Sequence, residues 1–169
     1  MDPQDDWSPF ETKLVADVKA YGWHVLSVFS NEGRPNFSYS VGMQTTLGHP
    51  DIVVFGLPLE VGQEVINLVG KAVRGGLWLT DGTRSSAFLQ GYECLFRTVP
   101  RQLYPECFGW GLWFYGDEEF SVLQLIYPDR FGQWPWEEGV DEAFRKAQPV
   151  LAELFDHEED RSQEDDAQP

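Results

Sequence analysis

Between residues 10 and 21 the apolar positions Phe10, Leu14, Val15, Val18 and Tyr21 recur at helical spacing. Ser8 ahead of them offers an N-cap hydroxyl, Pro9 fits the first helical position, and Glu11 can reach back to close a capping box. An amphipathic helix is therefore predicted, ending near Gly22. The rhythm then shortens to that of strands. Trp23 to Phe29 and Asn36 to Met43 are rich in β-branched and aromatic residues and flank the turn chemistry of Asn31-Glu32-Gly33-Arg34-Pro35, which predicts a hairpin. Asp51 to Leu57 is continuously apolar at Ile52-Val53-Val54-Phe55, the pattern of a central strand covered on both faces. Val61, Val65, Leu68, Val69, Ala72 and Val73 restore the helical rhythm before Gly75-Gly76, predicting a second helix over 59–74.

Further on, Leu77 to Thr80 with Asp81-Gly82 reads as a short strand and turn. Phe88 to Val99 reads as one long strand, with Tyr92, Cys94 and Phe96 on one face and Gly91 marking a bulge. Pro105 to Tyr115 reads as a helix weakened by Gly109 and Gly111, and Phe120 to Tyr127 as a strand. A turn-rich loop over 128–136 follows, then a helix from Asp141 to about Phe155 that Pro149 should kink or split. This order implies an α+β fold in which a mixed or mostly antiparallel β-sheet, or a small split barrel, packs with three to four helices. Residues 1–7 are expected to be disordered, 8–155 to form a single α+β domain, and 156–169 to be a disordered acidic tail.

Composition narrows the function. At 169 residues a chain can bury roughly two thirds of its unfolded surface, and 15% aromatic residues provide material for a core or a cleft. The net charge of −16 excludes nucleic acid and anionic membranes as natural partners. Asp156 to Pro169 carries −6 of it, which leaves −10 on the rest, so the body is acidic in its own right. Only Cys94 and Cys107 are present, too few for a disulfide scaffold; with no leader and no membrane-length apolar run, a cytoplasmic protein is expected.

Gly22-Trp23, Phe37-Ser38-Tyr39-Ser40-Val41-Gly42-Met43 and His49-Pro50-Asp51-Ile52-Val53-Val54-Phe55-Gly56-Leu57 together form a pattern that resembles the DUF4262 domain. Val122-Leu123-Gln124-Leu125-Ile126-Tyr127-Pro128-Asp129 with Gly132 and Pro135-Trp136 resembles that family's Q-x-x-[WY]-P-D-x-x-G-x-x-P-W segment, and Gln148-Pro149 its closing Q-P. The likeness spans roughly residues 20 to 152. Where the family usually has Tyr-Thr this chain has Tyr39-Ser40, which keeps the hydroxyl. The resemblance implies a compact bacterial cytoplasmic domain, and no catalytic residue, because the family's function is unknown.

Chemistry must therefore be sought in the side chains. His24, Tyr39, Ser40, Gln124 and Asp129 lie on or beside strands predicted to be neighbours, and could converge in a ligand pocket lined by Trp134 and Trp136. Structural polar networks are common, so the plainer reading is that Tyr39, Gln124 and Asp129 hydrogen-bond backbone and fix the 128–136 loop. His49, Asp51 and His24 are the nearest thing to metal ligands, but nothing in their spacing demands a metal, and none is expected. Cys94 sits in the apolar alternation of a strand, and Cys107 has Glu106 beside it, so neither is a favoured nucleophile. No phosphate-cradling glycine motif occurs. Arg34, Arg84 and Ser85-Ser86 could meet a flavin phosphate if the fold were a split barrel, but this rests on fold analogy alone, and no cofactor is expected.

Trp110, Trp113, Phe114 and Tyr115 carry more apolar surface than one element buries on a single face, so they are a candidate interface unless they close the core. The expectation that follows is an acidic interaction module binding a basic protein partner, for instance an inhibitor or immunity-type protein. The alternative is a small-molecule-binding protein or enzyme with its pocket near Tyr39, Gln124, Asp129 and Trp136. Oligomeric state is not legible.

Overall fold

The computed structural model describes residues 6–154. Helix α1 (Pro9–Tyr21) begins as its sequence dictates: the Ser8 hydroxyl accepts the Glu11 N–H, the Glu11 carboxylate accepts the Ser8 N–H, and Gly22 closes the far end in a left-handed conformation. Six strands form one open sheet: β1 (His24–Val28), β2 (Phe37–Val41), β3 (Asp51–Phe55), β4 (Arg84–Leu89), β5 (Tyr92–Thr98) and β6 (Val122–Ile126). Their order is β1-β2-β3-β6-β5-β4, with every pairing antiparallel except β3 with β6. The sheet does not close, so the architecture is a mixed-sheet α+β fold and not a split barrel.

The parallel pair is central, and every residue of both strands is buried. Ile52 and Val54 of β3 point into one apolar cluster, Val53 and Phe55 into another. The first cluster is covered by α3 (Leu59–Arg74), and the second by α1 together with α4 (Tyr104–Cys107) and α5 (Gly109–Tyr115). Two-sided cover is why β3 lacks alternation, since each apolar side chain so buried contributes about 1.5–3 kcal/mol. Trp23 ties the edge of the sheet to α3: its ring lies so close to Gly70 that a Cβ there would fall 2.5 Å from it, and its indole N–H donates to Asn67 at 2.9 Å.

Some sequence expectations need correction. Strand β2 ends at Val41, because Gly42 turns the chain at φ 110° into a short helix, α2 (Met43–Leu47). Leu77 to Thr80 is not a strand: the Leu77 N–H returns to Ala72 and the Leu79 N–H donates to His49, so neither pairs with a neighbouring strand. The long strand expected over 88–99 is a hairpin, with Gly91 in its turn at φ 82° and not in a bulge. The polar run at 84–86 hid β4, which lies at the sheet's edge. After Asp141 the chain is helical in α6 (Glu142–Ala147), interrupted around Pro149, and helical again over 151–154. The ends expected to be disordered lie almost entirely outside the described residues. Among those described, no helix is long and apolar enough to cross a membrane.

Candidate functional site

Polar side chains meet in two internal clusters, and open space gathers elsewhere. At the amino end of β3, Asp51 is fully buried. Its Oδ1 accepts the Ser40 hydroxyl at 2.7 Å and the Met43 N–H at 3.1 Å, and its Oδ2 accepts the Tyr115 hydroxyl at 2.5 Å. Tyr115 in turn accepts the N–H groups of Gly42 and Gln44, and Ser40 accepts that of Ile52. The turn made by Gly42 aims these amides inward, so a β2 strand end, a helix start and α5 are locked together. Burial pushes the Asp51 carboxyl up to about 6, and the hydrogen bonds it accepts limit the rise. Burial and the adjacent Asp51 push the Tyr115 phenol far above its ordinary value. Neither group reaches solvent.

His49, completely buried, is likewise internal. Its Nδ1 bonds the Pro50 carbonyl at 2.8 Å, its Nε2 accepts the Leu79 N–H at 3.1 Å, and burial lowers its pKa. This neutral imidazole has no nitrogen left for a metal. His24 lies elsewhere, with Nδ1 2.8 Å from Asp17, and no group of three metal-ligating side chains occurs among the described residues.

A second internal cluster runs along β6. Gln124 donates to the Pro149 carbonyl and accepts the Leu151 N–H, while Gln148 pairs with both the N–H and the carbonyl of Tyr127. Two glutamines thus stitch residues 148–151 to the strand, in the manner of an extra strand neighbour. Asp129 Oδ1 accepts the N–H groups of Phe131 and Gln133 and shapes the loop after β6. Tyr39 is buried, with the amides of Trp110 and Gly111 facing its hydroxyl. The residues considered as one pocket therefore do not converge. His24 lies on the edge strand, Tyr39 and Ser40 on β2, and Gln124 on β6 beyond the intervening β3. Trp134 and Trp136 stack on each other, with centroids 5.3 Å apart.

The aromatic segment is divided. Tyr115 is buried in the polar network and Phe108 in the core, whereas Trp110, 36% exposed, and Trp113 form a surface cluster with Phe10 and Trp7. Both cysteines are in settings that oppose the thiolate: burial pushes Cys94 up to about 11, and burial with Glu106 raises Cys107.

An apolar cleft of about 470 Å³ lies beyond the carboxyl ends of β3 and β6. Leu57 follows β3 into it, Tyr127 follows β6, Leu89 and Tyr92 are the paired strand ends that flank the β4–β5 turn, and Phe144 comes from α6. Phe131 stands at the rim, 74% exposed, with the Arg130 guanidinium 4.8 Å from its ring centre. Asp129 and Asp141 supply carboxylates. One oxygen of Asp141 caps α6, and neither acid forms an ion pair among the described residues. Of the pocket expected from sequence, only Asp129 lines this cleft. The aliphatic and aromatic wall was missed, although Asp129-Arg130-Phe131, an aromatic in a turn-rich loop, was a readable signal.

A family model described as a domain of unknown function (DUF4262) matches residues 17–141. No curated protein and no solved structure matches the chain significantly.

Proposed function

Since the chain belongs to the DUF4262 family, a domain of unknown function, we propose from the cleft itself that the protein is a binding module for a basic protein partner. The observation that carries this reading is the pairing of an open apolar cleft with two carboxylates, Asp129 and Asp141, that form no ion pair among the described residues. Each has one oxygen committed to backbone N–H groups, which fixes its direction and leaves the charge available. A lysine, an arginine, or an apolar side chain beside one would bury its stem against Leu57, Leu89 and Phe144 and bring its cation to the acids. The body's charge of −10 would steer such a partner. A cytoplasmic inhibitor or immunity-type protein fits this description. The aspartate, tyrosine and histidine groups best suited to chemistry, Asp51, Tyr115 and His49, are consumed by internal hydrogen bonds.

The volume of about 470 Å³ favours a second reading, a small apolar ligand in the same cleft, because drug-sized molecules occupy clefts of this size. Native mass spectrometry of the protein purified gently from its own host separates the two. The first reading expects a basic protein that co-purifies with the wild type, is released by salt, and is lost from both Phe131→Asp and the double variant Asp129→Asn/Asp141→Asn. The asparagines keep the backbone caps and remove only the charge. A bound small molecule lost from Phe131→Asp alone moves the assignment to the second reading. A partner retained by all variants places the interface elsewhere.

A further inference from the structure

Helices α1 and α3 overhang the free edge of β1 from opposite faces of the sheet, and between them lies a polar groove of about 610 Å³ floored by Trp23, His24 and Val25. We infer that this groove is a binding site for an oxyanion, the phosphate or carboxylate of a small molecule. It is independent of the cleft at the other end of the sheet and of what that cleft binds.

The groove is built from two facing stripes at helical spacing. Gln63, Asn67, Lys71 and Arg74 come from α3, and Lys13 and Asp17 from α1. On a body carrying −10, three of the chain's 12 basic residues line this one groove against a single carboxylate. That carboxylate is already occupied: Asp17 Oδ2 lies 2.9 Å from Lys13 and 2.8 Å from His24 Nδ1. Burial tends to raise its pKa, but these two hydrogen bonds outweigh burial and hold it below the ordinary value. Asp17 thus orients Lys13 and His24 and leaves Lys71 and Arg74 without a carboxylate partner among the described residues.

The remaining polar groups point the same way. The Asn67 Oδ1 is taken by the Trp23 indole N–H at 2.9 Å, which turns its Nδ2 donors away from that contact. Arg74 stacks on the Trp23 ring at 4.8 Å and gives one N–H to the Tyr21 carbonyl, so its guanidinium is held in place with other N–H groups to spare. Lys71 has no ion-pair partner among the described residues. Basic residues in the last turn of α3 also suit its dipole, and charge on an edge strand discourages edge-to-edge pairing. Neither role requires a second helix to bring Lys13 to the same space, or an amide with its donors freed. A groove rich in held donors and excess positive charge matches a ligand that only accepts.

The test is a titration of the full chain followed by two-dimensional NMR, with inorganic phosphate and, separately, citrate, at ionic strength matched by sodium chloride. We expect a saturable shift of the Trp23 indole N–H and of amides over 63–74, weakened about tenfold or more in Lys71→Glu, where the side chain is exposed and folding should survive. Arg74→Gln serves as the second variant and should weaken binding similarly. Response to phosphate alone assigns a phosphate-bearing ligand, to citrate alone a carboxylate, and to both an oxyanion site without that distinction. No saturable shift with either, or shifts unchanged in both variants, overturns the inference.

Discussion

The central strands β3 and β6 run in the same direction, so their two ends can be compared as poles of one structure. At the amino pole a carboxylate, a phenol and a hydroxyl, the groups a chemist would first suspect of catalysis, are spent on each other and on backbone amides. At the carboxyl pole the space is open and its walls are mostly aliphatic and aromatic. Polar density and accessible room are thus separated along the same strands. Residue type shows where chemistry is possible, but only topology shows whether anything from outside can reach it.

The contrast breaks most severely at the amino pole. Tyr115→Phe leaves the Gly42 and Gln44 N–H groups and one Asp51 oxygen without their partner, and should lower the unfolding free energy by about 2–4 kcal/mol in urea denaturation. A loss below about 0.5 kcal/mol would show that the network is not structural. The same pole should give a smaller, pH-dependent effect. Asp51 is raised to about 6 when folded against an ordinary 3.8, so its protonated form is favoured by folding. That stabilisation is complete below the unfolded value and is lost as pH rises through 6. The stability difference, wild type minus Asp51→Asn, should therefore fall by on the order of 1 kcal/mol between pH 5 and 7.5. A difference independent of pH would mean that Asp51 stays ionised. The least effect is expected at the carboxyl pole, where Phe131→Ser removes a 74% exposed ring and should change stability by less than about 0.5 kcal/mol. A larger loss would make the cleft's rim part of the core.

Much of the framework was readable because local rules and tertiary contacts agree. The capping box fixed the start of α1, the run Ile52 to Phe55 announced a doubly covered strand, and α3 occupies the expected 59–74. What was hidden depends on distant partners. The strand ended by Gly42 and the loop around Leu79 are set by Tyr115 and His49, both far away in sequence. The role of Gln124 was visible only as a plausible backbone anchor, and the cleft wall is gathered from four separate segments. The candidate pocket did not assemble because its members are spent separately: His24 on Asp17, Ser40 on Asp51, Gln124 on the backbone of 149–151 and Asp129 on its own loop. The DUF4262 resemblance, carried by the strand segments and the Tyr127-Pro128-Asp129 turn, was sound as kinship.

The central pairing has a consequence for how the chain is made. Asp51 of β3 pairs beside Val122, about 70 residues later, so during synthesis β1, β2 and β3 emerge long before the strand that completes the middle of the sheet. Until β6 leaves the ribosome, β3 presents an apolar edge with unused hydrogen-bonding groups, open to the wrong neighbour. Closing that gap brings together the most distant contacts in the sheet, so of the sheet's pairings it carries the largest loop-closure cost. A chain cut anywhere before Val122 would carry that edge permanently and should aggregate instead of persisting as a smaller domain.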